Sequence, residues 1–121
     1  MISIIAKWTI LEGKREQAIP ALQDLAKQVE EGEPFVWMYT IHTPDLTVTN
    51  FPTPPANEVV FFSVFADHDA FEKHLNGPIF QNWFKQHSSL FLLNNGNLFV
   101  ISEFLDRQAG YVHKEMLTTP C

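Results

Sequence analysis

Glu58-Val59-Val60-Phe61-Phe62-Ser63-Val64-Phe65-Ala66 decides the fold. β-Branched and aromatic residues dominate it, which is the composition of a strand. Side chains alternate across a pleated strand, so Val59, Phe61 and Phe65 point one way and Val60, Phe62 and Val64 the other. An antiparallel strand with one wet face would alternate apolar and polar residues. This one is apolar on both faces.

Reading downstream, Asp67 or Asp69 can cap a helix, and Asp69 with Glu72 has capping-box spacing. That helix carries Phe71, His74 and Leu75 on one face. Gly77-Pro78 breaks it, and Pro78 suits the first position of a new helix. Phe80, Trp83, Phe84 and His87 then recur at i, i+3, i+4 and i+7. Asn94-Asn95-Gly96-Asn97 is turn chemistry. Residues 98–105 read as a last strand, with Leu98, Val100 and Phe104 opposing Phe99, Ile101 and Leu105.

Upstream, residues 44–57 hold Pro44, Pro52, Pro54 and Pro55 and form a long connection rather than a hairpin turn. Residues 35–43 read as a strand in which Phe35, Trp37, Tyr39 and Ile41 oppose Val36 and Met38. Residues 14–31 read as a helix with Ala18, Leu22, Leu25 and Val29 on one face; Pro20 should bend its first turns, and Gly32-Glu33-Pro34 stops it. Residues 2–10 are a strand that turns at Leu11-Glu12-Gly13. The order β-α-β-β-α-β predicts an α+β, ferredoxin-like fold with helices on one face of an antiparallel sheet. Residues 1–106 form this domain, with 44–57 as an insertion. Residues 107–121 are a polar tail anchored by Tyr111, Val112, Met116 and Leu117.

The chain has 121 residues, 45% hydrophobic and 18% charged, so one domain with a real core is expected. No apolar run is long enough to span a membrane, and the start lacks the features of a secretory signal. The lone cysteine, Cys121, allows no intrachain disulfide and reads as an inert exposed thiol; a cytoplasmic location is expected. A net charge of −6 with scattered basic residues argues against a nucleic-acid partner. The histidines show no metal-ligand spacing, so no metal is expected. No phosphate loop and no nucleophile elbow occur either.

The helices of one chain can cover only one sheet face. About ten large side chains would be left in water, at roughly 1.5–3 kcal/mol each. A second copy packed face to face is the expected cover, giving a homodimer. The proline-rich loop and the tail folding back are the rival cover.

Leu11-Glu12-Gly13-Lys14, and residues 58–67 leading into Ala70-Phe71-Glu72-Lys73-His74-Leu75-Asn76-Gly77-Pro78-Ile79-Phe80, resemble the antibiotic biosynthesis monooxygenase superfamily of dimeric α/β barrels. The resemblance covers about residues 2–105. It implies oxidation of electron-rich aromatics by oxygen with no cofactor, the substrate itself delivering the electron. Haem-degrading members of that superfamily use an asparagine, a tryptophan and a histidine at positions that here are Ala6, His74 and Phe84. None matches, which argues against haem, although His87, one turn on, could substitute as the ligand.

His74 is the candidate catalytic residue. An imidazole titrates near neutrality and can take a phenolic proton. Its competing role is that of a core histidine. Trp8, Trp37, Phe71, Phe80 and Trp83 are candidates for an aromatic slot that takes a small planar ligand, against the alternative of ordinary core packing. Tyr39 and Asn82 are candidate hydrogen-bond donors to a substrate oxygen, while His42 and His68 are expected in solvent. The expected function is a cofactor-independent monooxygenase on a small phenol or quinol. The alternative is a non-catalytic binding protein on the same scaffold.

Overall fold

The computed structural model describes residues 1–118; Cys121 lies outside the described residues. Strand β1 (Ile2–Thr9) leads into helix α1 (Arg15–Gly32), then β2 (Val36–His42) and β3 (Glu58–Phe65). Helices α2 (His68–Asn76) and α3 (Pro78–His87) follow. A short hairpin, β4 (Leu93–Asn94) and β5 (Asn97–Leu98), precedes β6 (Ile101–Leu105), and α4 (Glu115–Thr118) lies in the tail. The main sheet has the order β2-β3-β1-β6 with every neighbour antiparallel. This is the expected ferredoxin-like α+β arrangement. Within one chain the sheet is open, not closed into a barrel.

Helix α1 buries Ala18, Ala21, Leu22, Leu25 and Val29 against the sheet. Pro20, the sixth residue of this helix, does not end it, although its ring nitrogen cannot donate to the Glu16 carbonyl. Asp67, not Asp69, caps α2: its Oδ1 accepts from the Ala70 N–H at 2.8 Å. Pro78 opens α3 at its first position. Gly77 joins the two helices in a close approach. A Cβ there would stand 2.5 Å from the Lys73 carbonyl oxygen, so any larger residue would force the end of α2 to shift.

Two expectations need correction. Residues 98–105 are not one strand. The Leu92 N–H donates to the Thr9 oxygen and Phe91 bridges to Ile10, so that end of the β1 edge is already occupied. The chain therefore leaves as the β4–β5 hairpin, turning through Asn95 and Gly96 at φ 53° and 82°, and rejoins β1 only at Ile101 opposite Lys7. Positive φ at both turn positions matches the twist of the flanking strands. The second correction is in β2. Val36 pairs with Phe65 and Met38 with Val64, so Trp37 is an extra residue in a bulge. It is turned outward, 61% exposed, instead of sharing a face with Tyr39.

The core lies between sheet and helices, around Trp8, Phe61, Phe80, Trp83 and Phe91. Trp8 sits at its centre, 4.3 Å from the Phe61 ring and 5.4 Å from the Phe91 ring between centroids. On the opposite face, Ile5 pairs with Phe62, and no described helix covers them. Phe62 is 40% exposed and Ile101 56%.

Candidate functional site

A cavity of about 450 Å³ opens between the sheet and helices α2 and α3. Its floor is Ile4, Ala6 and Trp8 of β1, its far wall Phe71 and Phe80 of the helices. Tyr39 of β2 and Ser63 of β3, paired across their strands, bring polar groups to one side. Asn97 of the hairpin and Ser102 of β6 bring polar groups to the other. The hairpin that replaced the expected continuous strand thus forms part of the rim, through Asn97 and Leu98.

Of the candidates, His74, Trp8, Tyr39, Phe71 and Phe80 line this cavity together. Trp37 and Trp83 do not. Trp37 is displaced by the bulge. Trp83 is fully buried in the core, and its indole N–H donates to the Ala21 carbonyl at 2.7 Å, which ties α3 to α1. Asn82 faces solvent on α3, and its neighbour Gln81 is the residue that reaches the cavity. His42 and His68 are exposed, as expected.

Glu33 is the group that sequence reasoning missed. It stands just past α1, its backbone N–H bonded to Val29 O, and its side chain is turned inward, only 4% exposed. Its Oε1 lies 2.6 Å from His74 Nδ1, and His74 is itself 3% exposed. A buried carboxylate against Nδ1 holds the proton there, which leaves Nε2 as the acceptor. Nε2 makes no hydrogen bond to any of the described residues. Among the described residues no buried side-chain nitrogen or oxygen lacks a partner, so Nε2 must reach open space, and the space His74 lines is the cavity.

The His74 ring also meets Tyr39 edge-on at 5.1 Å. Burial, and then the Glu33 carboxylate, push the Tyr39 phenol far above its ordinary ionisation range. Tyr39 therefore stays protonated and serves as a donor. The arrangement places one proton acceptor, one permanent donor and an aromatic wall around a cavity large enough for a small planar molecule. Among the described residues no cluster of three or more His, Cys, Asp or Glu could hold a metal ion. None of the helices described is long and apolar enough to cross a membrane.

An open antiparallel sheet with helices on one face and a cavity between the layers defines a ferredoxin-like α+β protein. The antibiotic biosynthesis monooxygenase family model matches residues 1–86, and the chain belongs to that family. Solved structures share the fold. A Caulobacter crescentus protein assigned as an antibiotic biosynthesis monooxygenase is 18% identical over 89% of this chain and 90% of its own, with a TM-score of 0.70. Protein SO0527 from Shewanella oneidensis is 22% identical over 86% and 89%, at 0.64. A mutant form of SnoaB, a cofactor-independent oxygenase from Streptomyces nogalater, is 15% identical over 90% and 94%, also at 0.64. At these identities the likeness is one of fold. Among curated proteins, no significant match to the chain is found.

Proposed function

We propose that the protein is a cofactor-independent monooxygenase acting on a small phenol- or quinol-type aromatic, with His74 as the proton acceptor. The observation that carries this reading is the His74 imidazole, anchored at Nδ1 by buried Glu33 while Nε2 opens to an aromatic cavity. Family membership and the fold shared with a cofactor-independent oxygenase support it.

In the proposed reaction Nε2 takes the hydroxyl proton, and the Glu33 carboxylate stabilises the imidazolium that forms. The electron-rich ring passes an electron to oxygen, and the two radicals combine to a ring hydroperoxide. The proton held by His74 returns to the peroxide oxygen, and loss of the proton on the peroxide-bearing ring carbon with heterolysis of the O–O bond leaves one oxygen as a ring carbonyl and releases the other as water. A hydroquinone and O2 thus give a hydroxyquinone and water, and the substrate supplies all four electrons. Trp8, Tyr39, Phe71 and Phe80 hold the ring.

The working unit in this reading is a homodimer joined through the uncovered sheet face. Proteins of this family are usually dimeric, and Phe62 and Ile101 need a cover that no described helix supplies. The tail after residue 106, with Tyr111, Met116 and Leu117 exposed, packs on the partner subunit. The proline-rich 44–57 segment is an insertion in the 1–106 domain. A single cysteine suits a reducing compartment such as the cytoplasm.

Oxygen uptake with a panel of hydroquinones and anthrones tests the enzyme. Uptake above buffer that is lost in His74→Ala supports it. Ligand binding without uptake leaves the alternative, a non-catalytic binding protein.

A further inference from the structure

The cavity wall offers no positive charge. Among the described residues no Lys or Arg lines it. Its polar side chains are neutral amides and hydroxyls, together with His74, and His74 is already committed to Glu33. The hydrogen bond between Nδ1 and the carboxylate holds one proton. With Nε2 bare the pair carries a net charge of −1, and with Nε2 protonated it carries none. Neither state presents net positive charge to a ligand. The field of Glu33 is felt at the cavity wall, since it adds to the force that keeps Tyr39 un-ionised.

A ring carboxylate entering this space would give up its water, find no cation, and face a second carboxylate behind the imidazole. An uncharged hydroxyaromatic meets no such penalty. Its hydroxyl donates to Nε2, and a second neutral polar group can bond Asn97 or Ser102 across the floor of Ile4, Ala6 and Trp8.

We propose that this site selects uncharged hydroxyaromatics and excludes those carrying an anionic ring substituent, with Glu33 and the uncharged wall together setting the discrimination. The proposal rests on the reading of the cavity as an aromatic-substrate site.

Two ligands of nearly equal shape separate charge from fit: 6-hydroxy-2-naphthamide and 6-hydroxy-2-naphthoate. Calorimetric titration of the full chain at neutral pH should show the amide binding about tenfold tighter or more. Glu33→Gln, which removes the carboxylate, should narrow that ratio. Ser102→Lys, on the exposed side of the cavity, should narrow it by supplying a cation, and does not depend on how the buried pair tolerates change. Equal or tighter binding of the naphthoate by the unaltered protein overturns the charge selection alone. An unchanged ratio in both variants overturns the assigned cause. If neither ligand binds, the aromatic-site reading itself fails and takes this inference with it.

Discussion

His74 Nδ1 stands 2.6 Å from Glu33 Oε1, joining two residues 41 positions apart at the junction of α1 with α2. Both are almost fully withdrawn from water. A buried donor or acceptor that loses its partner bears its full desolvation cost, about 1–3 kcal/mol. Glu33→Ala should therefore destabilise the chain by that order in urea unfolding. Glu33→Gln, whose amide oxygen can still accept from Nδ1, should lose less. Equal stability of Glu33→Ala and the parent protein would mean that the contact contributes nothing.

His74→Gln keeps a polar group in the wall and removes the base. General acid–base catalysis contributes about a hundredfold or more. Oxygen uptake with an accepted quinol should fall by at least about that factor, with the circular dichroism spectrum unchanged. A loss of less than about threefold would take His74 out of the chemistry.

Tyr39 responds to alkali in a predictable direction. Burial and the Glu33 charge raise its folded-state pKa above the unfolded value of about 10. Above pH of about 10 the unfolded chain releases a proton that the folded chain retains, so stability present below that pH is lost as pH rises. Tyr39→Phe should flatten this alkaline loss. In absorbance titrations of the folded protein, the parent and Tyr39→Phe should coincide through the range of ordinary phenol ionisation.

Trp83 offers the opposite kind of test. Its N–H bond to the Ala21 carbonyl and its full burial make it a strut between α3 and α1. Trp83→Phe should cost about 1–3 kcal/mol of stability and leave ligand affinity within about twofold. Trp8→Ala, by contrast, opens the cavity floor and should weaken binding of any aromatic ligand.

The uncovered sheet face predicts an assembly. Sedimentation should give twice the 13.9 kDa chain mass. Phe62→Glu with Ile101→Glu places like charges on that face and should shift the population to single chains. A parent protein that sediments as one chain at micromolar concentration would refute the dimer.

Much of this molecule is written locally. The apolar alternation of residues 58–66, the four-three-four spacing of Ala18, Leu22, Leu25 and Val29, and the Gly77-Pro78 break set the order of strands and helices, because each signal is read within one or two turns of chain. That His74, Trp8, Tyr39, Phe71 and Phe80 share the space between the layers was legible for the same reason: residue type and face place them there. Three features were not legible. Trp37 left its expected face because a bulge is chosen by the register with β3, and register belongs to two strands at once. The last strand split because Phe91 and Leu92 occupied its place beside Thr9 and Ile10. Glu33 looked like an ordinary residue of a helix stop. Only the tertiary fold, which brings His74 of α2 to the residue just past α1, gives that carboxylate its buried partner, since a buried charge has meaning only through the partner the fold brings to it.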